Sequence, residues 1–107
     1  MSEYPANEAY QEIHRLDKLL EDAGIPHELE RFEDGWHIFY PNISNRVCIV
    51  NEHRLSSGSR EDRLALSGLL NKEERKFDTV VGHLSAEKVF DRVRLDWERR
   101  KNRGRGL

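Results

Sequence analysis

The chain has 107 residues, 36% hydrophobic and 36% charged, which is enough for one modest core and leaves little apolar surface for a second. Its single cysteine excludes an intramolecular disulfide and fits a reducing compartment. No apolar run approaches membrane-spanning length, and M-S-E-Y-P-A-N-E lacks the pattern of a secretory leader, so a cytoplasmic protein without membrane contact is expected. The net charge of −2 hides an asymmetry that can orient a partner or favour head-to-tail contact: residues 1–53 hold four Lys and Arg against eleven Asp and Glu, residues 54–107 fourteen against nine.

In chain order, Asn7 suits a helix N-cap, and Ala9, Ile13, Leu16, Leu20 and Ala23 recur at three- and four-residue spacing, which predicts an amphipathic helix. Gly24 can take the left-handed position that ends it, and Pro26 prevents continuation. In H-E-L-E-R-F-E-D-G-W-H-I-F-Y-P, Asp34-Gly35 lies between two alternating runs and predicts a tight hairpin with Phe32 opposite His37 and Leu29 opposite Tyr40. Alternation puts Leu29, Trp36, Ile38 and Tyr40 on a core face, and Glu28, Glu30, Phe32, His37 and Phe39 on the other. After P-N-I-S-N, the run R-V-C-I-V-N-E predicts a third strand, with Val47 and Ile49 on one face and Cys48 and Val50 on the other. Ser59 to Asp62 has the form of a capping box, which predicts a helix from near Arg60 through L-A-L-S-G-L-L. Asn71 with Glu74 suits the cap of a further turn. Ser85 suits the N-cap of a last helix, with Leu84 and Val89 as its hydrophobic staple, Ala86, Val89, Phe90, Val93 and Trp97 along its apolar stripe, and Leu95 on the opposite side.

The fold class that follows is α+β: a three-stranded antiparallel sheet in order 1-2-3, preceded by one helix and followed by two or three. Residues 1–98 form the single domain, and 99–107 a basic, disordered tail.

Candidate chemistry is sparse. Cys48 with His53 as base would be a nucleophilic pair, but strand alternation sends the two side chains to opposite faces, and a small buried cysteine explains the first. Five histidines lack any recognised ligand spacing; His27, His37 and Glu30 could meet on the outer hairpin face, where solvated histidines explain the pattern equally, so no metal or cofactor is expected. Asp34 with Glu52, His53 and Arg54 faintly resembles the carboxylates and lysine of restriction-endonuclease-like cores, yet Arg54 is too basic to titrate and turn chemistry accounts for Asp34. The S-S-G-S-R loop, Ser56 to Arg60, could cradle phosphate at a helix start, though no Walker lysine follows. Arg99, Arg100, Lys101, Arg103 and Arg105 make a basic end able to follow a nucleic-acid backbone.

The segments L-L-E-D-A-G-I-P-H-E, D-G-W-H-I-F-Y-P, R-V-C-I-V-N-E-H and G-H-L-S-A-E-K-V-F-D-R-V together resemble small uncharacterised proteins encoded by bacteriophages and prophages of Gram-positive bacteria. The resemblance implies an origin and no activity or catalytic residues. The resulting expectation is a phage-derived, non-enzymatic module that binds a protein partner or itself through Phe32, His37, Phe39, Val47 and Ile49, with Glu52, His53 and Arg54 as a polar site at the strand end. Nucleic-acid binding through the basic C-terminal helix and tail is the alternative, and a metal-dependent nuclease a further one.

Overall fold

The structure, a computed structural model, describes residues 11–32, 35–52, 63–77 and 79–105. Helix α1 (Gln11–Asp22) leads into an antiparallel sheet of five strands in sequential order: β1 (Glu28–Phe32), β2 (Gly35–Tyr40), β3 (Cys48–Glu52), β4 (Leu64–Ser67) and β5 (Val80–Leu84). A short helix α2 (Lys72–Phe77) sits between β4 and β5, and α3 (Ala86–Arg105) follows β5. Helices α1 and α3 pack on each other and on one face of the sheet. The α+β class and antiparallel pairing are as the sequence indicates; the sheet has two more strands than expected. No helix among the described residues is long and apolar enough to cross a membrane.

Helix α1 buries Ile13, Leu16 and Leu20 through their three- and four-residue spacing. It ends in a Schellman motif: Ile25 N–H donates to Leu20 O at 3.0 Å and Gly24 N–H to Glu21 O at 3.0 Å, while Leu20 and Ile25 supply the apolar contact that accompanies such ends. Gly24 takes the left-handed φ of 71° that this motif requires. Ala23 lies outside the buried stripe, exposed to solvent. Asn7 and Ala9 lie outside the described residues.

In the hairpin, Phe32 pairs with Gly35, Arg31 with Trp36 and Leu29 with Ile38, so Gly35 belongs to the ladder, and the register differs by two residues from the one predicted with Asp34-Gly35 as the turn. A shift of two preserves the facing of every side chain. Ile38 and Tyr40 are therefore buried on the core face as expected, with Leu29 and Trp36 packed at its margin. β3 pairs with β2 through Ile38 and Val50 and through Tyr40 and Cys48.

The segment L-A-L-S is a strand where a helix was predicted. Leu64 and Leu66 alternate with Ala65 and Ser67, and Val50 pairs with Leu66 while Glu52 pairs with Leu64, so β4 adds its leucines to the core face as a central strand. Ala65, on the second face, is also buried. The capping box at Ser59 to Asp62 lies outside the described residues. V-V-G-H-L closes the sheet: Leu64 pairs with Leu84 and Leu66 with Val81, and the shift between these pairs sets Gly82 and His83 opposite Ala65 as a β-bulge, His83 having a φ of 58°.

Asn71 and Glu74 form a reciprocal capping box on α2, each side chain accepting from the other's backbone N–H at 2.8 and 2.9 Å. Ser85 caps α3, its Oγ accepting from Lys88 N–H, and Leu84 and Val89 are both buried as the staple requires. Leu95 is exposed, as its place off the stripe predicts. Helix α3 runs without a break past residue 98, where a disordered tail was expected, to Arg105; the i to i+4 contact of Asp96 with Arg100 at 2.6 Å supports the turn that spans this boundary.

Two glycines separate backbone strain from crowding. A Cβ on Gly24 would meet nothing within 4 Å, whereas one on Gly68 (φ 97°) would lie 2.5 Å from Val47 O and 2.9 Å from Cys48 Cα. Gly24→Ala should cost about 1 kcal/mol, the left-handed penalty alone, and Gly68→Ala clearly more, because backbone must move. Urea melts of both variants check the order; equal losses would show that the β3–β4 contact relaxes freely.

Candidate functional site

Among the described residues, four places hold polar or exposed groups on which a function could rest: the sheet end where α1 and α3 begin, the second face of the sheet, the outer side of α3, and the turn that follows α1.

At the sheet end, β3 finishes with Glu52 facing the core and its side chain fully enclosed. Its Oε1 accepts from Ile13 N–H at 3.0 Å, and the Glu12 N–H is directed at the same carboxylate, so a residue of the sheet satisfies the free amides in the first described turn of α1. Arg63 Nη2 lies 3.0 Å from Oε2, an ionic contact whose alignment falls short of a hydrogen bond. Burial pushes the Glu52 carboxyl above its ordinary value, and Ile13 and Arg63 oppose this without overcoming it. Glu12 repeats the pattern: its Oε2 accepts from Ala86 N–H at the start of α3 at 2.7 Å and from Arg15 Nη2 at 3.1 Å, and Arg15 reaches on to Glu87 at 2.7 Å. The predicted polar surface site is thus corrected. Glu52 is an interior cap, because alternation along β3 puts it on the face of Cys48 and Val50; His53 and Arg54 lie outside the described residues.

The sheet stands between Glu52 and His37, which pairs with Asn51 and faces the other way. No catalytic set joining them is formed. Cys48 is a buried core residue, and burial pushes its thiol up to about 12. Asp34, the other carboxylate of the nuclease reading, and the loop Ser56 to Arg60 lie outside the described residues.

On the second face, the rings of Phe32 and His37 are 4.4 Å apart, with Phe39 6.3 Å from Phe32 and 6.1 Å from His37, and Ile49 is the strand partner of Phe39. Of this cluster Phe32 is the exposed member, at 43%, while Phe39 is buried and His37 and Ile49 are half-buried. Val47 does not join them: it precedes β3, is held by its N–H to Tyr40 O, and packs against the core.

On α3, much of the positive charge is already paired. Arg92 grips Glu74 with two hydrogen bonds of 2.6 and 2.7 Å and holds that carboxyl at about 2, while Arg94 faces Asp91 and Arg100 binds Asp96. Burial alone would raise Asp96, but Arg100 and the Tyr40 hydroxyl, 2.7 Å away, donate to it and hold it below its ordinary value. Arg99, Lys101 and Arg103 are exposed. An open groove of about 380 Å³ runs between the turn at Leu69 and Leu70 and the α3 residues Leu95 and Arg99; its other charged groups, Arg92 and Asp96, are already engaged by Glu74 and Tyr40.

One constellation escaped the sequence reading. His27 meets neither His37 nor Glu30; the Schellman turn carries it back to α1, where its Nε2 lies 2.7 Å from Asp17 Oδ1, with Glu21 beside them. The D-x-x-x-E spacing on a predicted helix, followed by a glycine stop and a histidine, was the available signal. Comparison with protein-family models, curated proteins and solved structures finds no match for the chain.

Glu52→Ala should destabilise the protein by about 3 kcal/mol, since it removes the buried carboxylate that faces Arg63 and uncaps α1 together; Glu52→Gln, which keeps an acceptor for Ile13, should lose less. Denaturant unfolding measures both, and a loss below about 1 kcal/mol for the alanine would deny the cap its role. For Cys48, Ellman's reagent should leave the native thiol unmodified and titrate one thiol per chain in guanidinium; rapid native labelling would contradict its enclosure.

Proposed function

We propose that the protein is a non-enzymatic binding module that takes an extended, basic and apolar segment of another protein onto strand β1. The observation that carries this is the exposed Phe32, set against His37 and Phe39 on an edge strand whose same face bears Glu28 and Glu30. Edge strands offer backbone donors and acceptors to an added strand, and alternate side chains decide which strand is accepted. β5, at the other edge, is bulged and so less suited to regular pairing, whereas β1 pairs evenly with β2 over all five residues.

A second copy of the chain is a poorer occupant. Antiparallel pairing of β1 with itself about its middle residue sets Glu30 beside Glu30, and like charges directly opposite repel. A strand with Lys or Arg at alternate positions turns the same carboxylates into an attraction, and an apolar residue between them extends the Phe32 cluster. The separation of Glu52 from His37 by the sheet, and the enclosure of Cys48, support a role other than catalysis. A phage origin, for which the sequence resemblance is the ground, is compatible with such a module.

Anisotropy titrations with three labelled probes test the proposal: a peptide alternating Lys and Val, its Glu and Val counterpart, and duplex DNA. The lysine peptide should bind, more weakly at high salt, and Phe32→Ser should reduce its affinity. Glu28→Lys with Glu30→Lys should transfer the preference to the acidic peptide. Absence of peptide binding would overturn the reading, and binding to DNA alone would move the function to Arg99, Lys101 and Arg103 on α3.

A further inference from the structure

Asp17 and Glu21 stand one turn apart on α1, Asp17 half-buried and Glu21 exposed. His27 returns beside them because the left-handed Gly24 reverses the chain at the helix end. One donor atom from each of the three side chains lies within 4.8 Å of the other two.

The histidine is set for one ligand atom. Its side chain is 93% enclosed, being 7% exposed, and its Nδ1 lies 2.8 Å from the carbonyl oxygen of Ile25, outside the trio. A proton on Nδ1 donated to that carbonyl fixes the ring and directs the Nε2 lone pair at the carboxylates, the arrangement that orients histidines bound to metal. Both ring nitrogens face oxygen acceptors, and a neutral ring carries one proton. Nε2 is therefore completed by a second proton or by a cation. A proton needs Asp17 alone; Glu21 supplies a third donor, on the solvent side, through which an ion can enter.

We propose that Asp17, Glu21 and His27 form a binding site for one divalent transition-metal cation, with Zn²⁺ as the ion whose preferences the set matches. One imidazole with two carboxylates suits zinc, while Mg²⁺ and Ca²⁺ favour oxygen ligands throughout. At metal–ligand distances of about 2.1 Å, tetrahedral ligand atoms stand about 3.4 Å apart. Nε2 and Oδ1, now 2.7 Å apart, must separate by less than about 1 Å, and the Glu21 carboxylate, within 4.8 Å of both, must close in by at most about 1.4 Å. The remaining position would hold water, and the bound ion would clip the end of α1 to the segment entering β1. The metal site and the pairing edge of β1 are independent: neither requires the other.

The test uses the full chain freed of metal by chelation. Zn²⁺ titrated by calorimetry should bind one ion per chain and raise the melting temperature, and Co²⁺ should show the visible absorption of a tetrahedral site. Nitrogen NMR should show the His27 Nε2 resonance moving on Zn²⁺ addition while Nδ1 keeps its proton. Glu21→Gln, at an exposed position, should leave the metal-free melting temperature unchanged and weaken Zn²⁺ about tenfold or more; Asp17→Asn should weaken it further. No saturable binding up to millimolar Zn²⁺, binding indifferent to both substitutions, or an unmoved Nε2 resonance would each overturn the proposal. Binding equally strong for Mg²⁺ would overturn the assignment to zinc.

Discussion

The architecture depends on carboxylates that cap helices from a distance. Glu52 at the end of β3 satisfies the beginning of α1, and Glu12 on α1 satisfies the beginning of α3. Each free helix terminus would carry unpaired amides and a positive dipole end into a region closed to water. Supplying the acceptor from a neighbouring element solves both problems and ties the start of α1 to the sheet and the start of α3 to α1. The arrangement also places negative charge among Ile13, Ala86 and Leu64, where it is sustained by Arg63 and Arg15. These are two interactions that local helix propensity does not contain, since their partners lie 39 and 74 residues apart in sequence.

This distance explains what was legible in the sequence and what was not. Features written locally were readable: the apolar stripe of α1, the Gly24 stop, the facing of Trp36, Ile38 and Tyr40, the Asn71 and Glu74 box, and the Ser85 cap. Features decided by neighbours were not. L-A-L-S is too short to declare a period, and it becomes a strand because β3 and β5 flank it on both edges. Glu52 read as a polar exit from a strand, because nothing near it in sequence announces that an interior helix end needs its charge. The hairpin register turned on where the chain reverses, a choice that leaves side-chain facing unchanged and therefore leaves no trace in the hydrophobic pattern.

The same contrast applies to the candidate sites. The aromatic cluster on the second face was visible as residues, but which member reaches solvent was decided by the fold: Phe39 is covered and Phe32 is not. The basic end of α3 was visible as a charge run, yet Arg100 within it is drawn to Asp96, as Arg92 and Arg94 earlier on the helix are drawn to Glu74 and Asp91. Asp17, Glu21 and His27 were scattered letters until the turn at Gly24 gathered them. The acidic half of the chain thus serves several purposes: interior capping by Glu12 and Glu52, an edge charge at Glu28 and Glu30, and a cluster beside His27.

The bulge at Gly82 and His83 works as a phase correction. In an unbroken ladder extending from Leu66 and Val81, the residue opposite Leu64 would be His83, and Leu84 would turn away from the core. One inserted residue exchanges the two, leaving His83 in solvent and Leu84 inside. The next residues inherit that phase. Ser85 and Ala86 arrive where the α3 amides meet Glu12, so a local irregularity at the sheet's edge determines the rotational setting of a 20-residue helix.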